Sequence, residues 1–153
     1  FTRNIDSYLA TGANYLLNVG PKPDGTIPDE AKAIMAKVGS WMRRVGESYR
    51  GVENAPELVG KVTHGEKRVI TRRGKTLYVH FPKGIEADGL SLAPIKEMPK
   101  KAVLLNSGRE LRCEVTDFPW GSKSGQAAPF SLHVWGIPAD ELANECAVIR
   151  LDY

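Results

Sequence analysis

The chain has 153 residues, 42% of them apolar and 25% charged, which excludes a disordered polymer and fits one globular domain or slightly more. Its 21 Lys and Arg against 18 Asp and Glu leave a net charge of only +3 with the basic residues scattered, so nucleic acid is not an expected partner. No apolar run approaches the ~20 residues that span a bilayer, and FTRNIDSYLA lacks the basic-then-apolar order of a secretion signal, which would then lie before residue 1.

In chain order, the first expected helix carries Phe1, Ile5, Tyr8 and Leu9 on one face, with Gly12 at the left-handed position that closes it. NYLLN then reads as a short strand, apolar on both faces as a buried parallel strand requires. The clearest element is a helix from about Pro28 to Val45. Pro28 suits its first position, Asp29 and Glu30 complement the positive end of the dipole, and Gly46 ends it. Ala31, Ile34, Met35, Val38, Trp41, Met42 and Val45 recur at steps of three and four, an apolar stripe that places Trp41 in a core. One strand and two helices cannot supply a parallel sheet's neighbours, so this part reads as the tail of a larger α/β body.

The pattern changes near GVENAPELVG, and the chain divides into residues 1–53 and 54–153. From about Val62 the runs KRVITRR, KTLYVHF, GLSLAP, KKAVLLN, ELRCEV, FSLHVWG and CAVIRLDY read as short antiparallel strands separated by Gly-marked turns, the grammar of a β-sandwich. DFPWGSKSGQAAP reads as a loop between two of them. Alternation places Leu111, Cys113 and Val115 on one face, and Ala147, Ile149 and Leu151 on another that excludes Cys146. The two cysteines are therefore expected to be packed thiols, not a bridge.

No His or Cys set has metal-ligand spacing, and no cofactor is implied. His64, His80 and His133 read as isolated strand or surface residues. Tyr78, Trp120 and Trp135 offer a stacking platform for sugar rings, against a plainer reading as ordinary packing. Asp24, with Gly25 after it, reads as a turn residue, while Asp29 and Glu30 are accounted for by the helix start.

LLNVGPKPDGTIPDEA, residues 16–31, followed by the helix ending VGESYRG, resembles the end of the catalytic barrel in the retaining α-L-fucosidases, glycoside hydrolase family twenty-nine. Asn18, Gly20, Pro21, Asp24, Gly25, Ile27 and Pro28 match that family's signature, and GKTLYVHF and AVLLNSGRELRCEV extend the resemblance more loosely into the second half. The resemblance implies a multidomain fragment: the last β/α unit of a (β/α)8-like barrel, with Tyr15 to Asn18 its eighth strand, followed by an antiparallel β-sandwich. Barrel chemistry sits at the C-terminal strand ends, which makes Asn18 the one candidate substrate-binding residue, although an Asn there often only holds the following loop. The catalytic Asp and Glu are expected outside this chain, so no catalytic residue is assigned within it, and the chain alone is expected to be inactive. The implied activity of the intact protein is removal of terminal α-L-fucose from a fucosylated glycan or glycoconjugate by double displacement, in a secreted or periplasmic setting. The expected partners are that glycan and the rest of the barrel. The alternative is a non-catalytic carbohydrate-binding or structural module of an inactive relative.

Overall fold

The computed structural model describes residues 1–55, 58, 68–117 and 130–153. Helix α1 (Thr2–Leu9) closes as its sequence demands. Gly12 sits at φ +82°, its N–H donates to the Leu9 carbonyl at 3.0 Å, and Ala13 N–H donates to the Tyr8 carbonyl at 2.9 Å, the paired bonds of a Schellman stop. The buried face differs from the expected one. Ile5 is inside, but with Asp6 and Ala10 beside it, whereas Phe1 and Tyr8 are 61% and 52% exposed.

The strand expected at 15–18 does not form, and residues 13–20 carry neither helix nor strand. A parallel strand exists only by bonding to neighbours, and none of the described residues is in a position to flank this one. Leu16 is left 83% exposed.

Helix α2 (Asp29–Val45) starts one residue later than expected, with Pro28 as N-cap and Asp29 and Glu30 in the first turn. Trp41 and Val45 are fully buried, Ala31, Ile34, Val38 and Met42 half-buried, and Met35 is 48% exposed, so the stripe is most deeply covered at its C-terminal end. Gly46 is not a left-handed stop: at φ −61° it leads into a turn of 3-10 helix, Gly46–Tyr49, and the chain reverses at Gly51 instead.

Nine strands follow among the described residues: β1 (Glu53–Asn54), β2 (Val69–Arg73), β3 (Thr76–Phe81), β4 (Gly89–Leu92), β5 (Lys101–Leu104), β6 (Arg109–Glu110), β7 (Arg112–Asp117), β8 (Phe130–Trp135) and β9 (Ala147–Asp152). They make a six-stranded sheet in the order β1-β2-β3-β9-β5-β6 and a three-stranded sheet β4-β8-β7. Every pairing is antiparallel, so the expected sandwich is present. The single run ELRCEV serves both sheets. Arg109 and Glu110 pair with β5, Leu111 donates to the Ala102 carbonyl and turns inward, and Arg112 onward pairs with β8.

Period-two alternation sorts the side chains into two cores. Ile70, Leu77, Val79, Phe81, Ala102, Leu104, Ala147, Ile149 and Leu151 of the larger sheet meet Leu90, Leu92, Leu132 and Val134 of the smaller, with Cys113 and Val115 against them. The opposite face of the larger sheet presents Tyr78, Cys146 and Val148 to Ile5, Trp41 and Val45 of the helices. The result is three layers, helices on sheet on sheet. Cys113 and Cys146 lie on opposite faces and are both free thiols, as alternation requires.

Polar groups pin the helical layer to the larger sheet. Trp41 Nε1 donates to the Cys146 carbonyl at 3.0 Å, and the Thr2 hydroxyl accepts from the Cys146 N–H at 3.1 Å. Arg44 forks onto Glu145 at 3.0 and 3.2 Å while Asn106 bonds Glu145, the Cys146 carbonyl and the Val148 N–H, which completes the seam.

Candidate functional site

Asn18 lies on the exposed segment between the two helices, and its side chain makes no hydrogen bond among the described residues. The task of holding the loop falls to Asp24. Its Oδ1 accepts from the Thr26 N–H at 2.9 Å and the Thr26 hydroxyl at 2.7 Å. These bonds hold the Asp24 carboxyl below the usual carboxylate range. Lys22 N–H donates to the Thr26 carbonyl, and Gly25, at φ +83°, completes the turn. Asp24 is thus the turn residue expected, and Asn18 is free to meet a partner outside the described residues.

Asp29 pairs with Lys32 at 3.0 Å on the helix surface, which leaves it a local structural role. Among the described residues no group of three or more His, Cys, Asp or Glu side chains is placed to hold a metal ion, and no helix is long and apolar enough to cross a membrane.

One polar cluster escaped the reading of the sequence. Asp6 of α1 is fully buried, and its Oδ1 bonds His80 Nδ1 of β3 at 2.7 Å and accepts from the Tyr49 hydroxyl. His80 Nε2 meets the Thr71 hydroxyl at 3.2 Å, and that hydroxyl donates to the Ser48 carbonyl. Asp6 Oδ2 has no hydrogen-bond partner among the described residues. Burial, reinforced by the nearby Asp6 carboxylate, pushes the Tyr49 phenol and the Cys146 thiol far above their ordinary ranges, so both stay protonated. A carboxylate and an imidazole at this distance could exchange a proton with a substrate if one could reach them. None can, because both side chains are sealed between helix and sheet. The cluster is therefore a clasp joining α1, the exit of α2 and the larger sheet. His80 is not isolated as expected, but its partner lies 74 positions away, beyond any motif spacing.

His133 is likewise held at both ring nitrogens, by Ser91 at 2.7 Å and Thr116 at 2.8 Å, and its ring stacks on Trp135 at 5.5 Å and 15°. The three aromatic residues considered as a platform do not assemble. Tyr78 is fully buried on the helix-facing side of the larger sheet, where Arg73 lies over its ring and donates to its hydroxyl. Trp135 belongs to the smaller sheet. Trp120, His64 and most of DFPWGSKSGQAAP lie outside the described residues.

The family model described as "Alpha-L-fucosidase" matches residues 4–47. No curated protein sequence matches the chain. Among solved structures, α-L-fucosidase isoenzyme 1 from Paenibacillus thiaminolyticus is 31% identical over 98% of this chain and 33% of that chain, with a TM-score of 0.68. The Thermotoga maritima α-fucosidase in complex with a mechanism-based inhibitor is 23% identical over 99% and 33%, with a TM-score of 0.66. A trapped covalent intermediate of a family twenty-nine α-L-fucosidase from Bacteroides thetaiotaomicron is 22% identical over 98% and 31%, with a TM-score of 0.64. The chain therefore spans about a third of the length of the solved relatives it matches.

Proposed function

With this chain belonging by sequence and fold to the α-L-fucosidases, we propose that it is the C-terminal portion of a retaining exo-α-L-fucosidase, contributing the last strand and helix of a (β/α)8-like barrel and the sandwich behind it. The observation that carries this reading is apolar surface left uncovered along the helical segment. Leu16 at 83%, Phe1 at 61%, Tyr8 at 52% and Met35 at 48% are four of the five large apolar side chains exposed among the described residues, and only Met98 lies in the sandwich. Exposed apolar surface of this kind marks a face made to be covered, and it falls on or beside the stretch that the family model matches. In the proposed intact protein the rest of the barrel covers it, and Tyr15 to Asn18 becomes a strand by gaining neighbours.

Double displacement needs two carboxyl groups about 5–5.5 Å apart, one attacking the anomeric carbon and one protonating the leaving oxygen and then activating water. The covalent intermediate trapped in the Bacteroides thetaiotaomicron relative supports that route here. Neither carboxylate is assigned within this chain, since Asp6 is sealed, Asp24 is held in a turn and Asp29 pairs with Lys32. Asn18, exposed and unbonded, is the residue proposed to face the terminal fucose of a fucosylated glycan. A secreted or periplasmic setting goes with this activity, and fractionation that finds the protein in the cytosol contradicts it.

The test is turnover of a nitrophenyl α-L-fucoside by the full-length protein, with the first-formed fucose anomer read by proton NMR. Retention of the α-anomer is expected. No turnover by correctly folded protein, or release of the β-anomer first, overturns the proposal.

A further inference from the structure

The outer face of the smaller sheet is built differently from its inner one. Leu90, Leu92, Leu132 and Val134 point into the sandwich core, so alternation turns Ser91, His133 and Trp135 outward, with Arg112, Glu114 and Thr116 of β7 beside them. The bonds from Ser91 and Thr116 leave the His133 ring no freedom to rotate, and His133 in turn backs the Trp135 indole. Across the sheet Trp135 is in register with Gly89, and a Cβ on Gly89 would lie 2.8 Å from Trp135 Cδ1. The indole is thus fixed on one side by a clamped imidazole and seated on a glycine that leaves it room.

The remaining indole surface borders an open pocket of about 460 Å³ lined by Arg112, Cys113, Glu114 and Trp135. Arg112 and Glu114 are exposed, and their side chains make no hydrogen bond or ion pair among the described residues. One flat aromatic surface next to a planar set of donors and a carboxylate acceptor is the complement of a pyranose, which offers an apolar C–H face and a rim of hydroxyls. The volume lies in the ~300–1,000 Å³ range of small-ligand sites, and a single aromatic flanked by charges is far smaller than the ~800 Å² each partner buries in a stable protein interface. Because the ring is already held, little freedom remains to be lost on binding. The pocket sits at the Arg112–Trp135 end of the β7–β8 pair, about 17 Å of strand from the end where residues 118–129 connect them.

We infer that Trp135, Arg112 and Glu114 form a sugar-binding subsite on the outer face of the smaller sheet, which holds a pyranose of the glycan apart from the residue being cleaved. The choice of a glycan as ligand rests on the fucosidase reading; the geometry of the subsite does not.

The test is calorimetry on the full-length protein with a fucosylated lactose trisaccharide and with lactose, in the presence of a saturating monosaccharide inhibitor that fills the hydrolytic site. Residual binding to one site is expected, weakened tenfold or more by Trp135→Ala and severalfold by Arg112→Gln or Glu114→Gln. The two exposed substitutions keep the test valid if Trp135→Ala fails to fold. Absence of residual binding in the unsubstituted protein, or affinities unchanged in the folded variants, overturns the inference. A protein that binds these sugars through Trp135 yet hydrolyses no fucoside leaves the subsite standing and removes the proposed activity.

Discussion

Replacing His80 by Leu tests whether the buried clasp holds the helical layer to the sheet. The substitution roughly preserves volume but strands the Asp6 carboxylate, which is fully buried and would keep only the Tyr49 hydroxyl on Oδ1 and nothing on Oδ2. Breaking a buried pair from one side costs about 3–5 kcal/mol, because the surviving carboxylate has no water and is left with a single donor. That is about a fifth or more of a typical domain's ~5–15 kcal/mol. At a urea dependence of about 2 kcal/mol per molar, the midpoint falls by about 2 M. Cys146 supplies a local probe: it is fully buried in the same interface, so its labelling by a thiol reagent in the full-length protein, with other reactive cysteines replaced, reports opening of this seam. Replacing Asp6 and His80 together by Leu removes the stranded charge, and that double variant is expected to recover much of the loss. If His80→Leu costs under 1 kcal/mol, or if the double variant is no better than the single one, the clasp does not carry the stability assigned to it.

Further outcomes follow from the same chemistry. In the unfolded chain Tyr49 ionises near the ordinary ~10, whereas burial and Asp6 raise its folded pKa. Above pH ~10 the unfolded state therefore holds fewer protons, so the contribution is complete below that pH and is lost above it at about 1.4 kcal/mol per pH unit. Tyr49→Phe should flatten the alkaline limb of stability measured by urea titration between pH 9 and 11, and an unchanged slope refutes the assignment. Native protein should react at Cys113, which is half-buried and only partly desolvated, well before Cys146, and mass spectrometry of labelled peptides reads the order. Asn18→Ala should lower kcat/KM on a fucoside by about tenfold, the loss of roughly one hydrogen bond. Because Asn18 is exposed and unbonded, stability should move by less than about 0.5 kcal/mol, and a stability loss without a kinetic one reverses the reading.

The legible parts of the fold were those specified locally. Pro28, Asp29 and Glu30 mark the start of α2 within one residue, because capping and dipole preferences act over a single turn. Strand alternation placed Cys146 opposite Ala147, Ile149 and Leu151 for the same reason. Long-range pairing was not legible. His80 reads as an isolated strand or surface residue, and nothing in its neighbourhood or in that of Asp6 points across the 74 positions that separate them. The split of ELRCEV at Leu111 was hidden because a strand that changes sheets keeps its alternation through the corner. Residues 15–18 show the converse. Their apolar pattern reads as a buried strand, but a pattern becomes a strand only where neighbours exist. For the candidate site, the signature loop made Asn18 visible, while the Trp135 pocket needed the register that sets Gly89 and Arg112 on either side of it.

Split complementation tests whether this chain completes a catalytic barrel that it does not itself contain. The remainder of the full-length protein and this 153-residue chain are produced separately, and hydrolysis of a nitrophenyl α-L-fucoside is followed for each alone, for the mixture and for the intact protein. Turnover is expected from the intact protein, from neither piece alone, and again on mixing. Turnover by this chain alone, or by the remainder at the intact protein's rate, contradicts it.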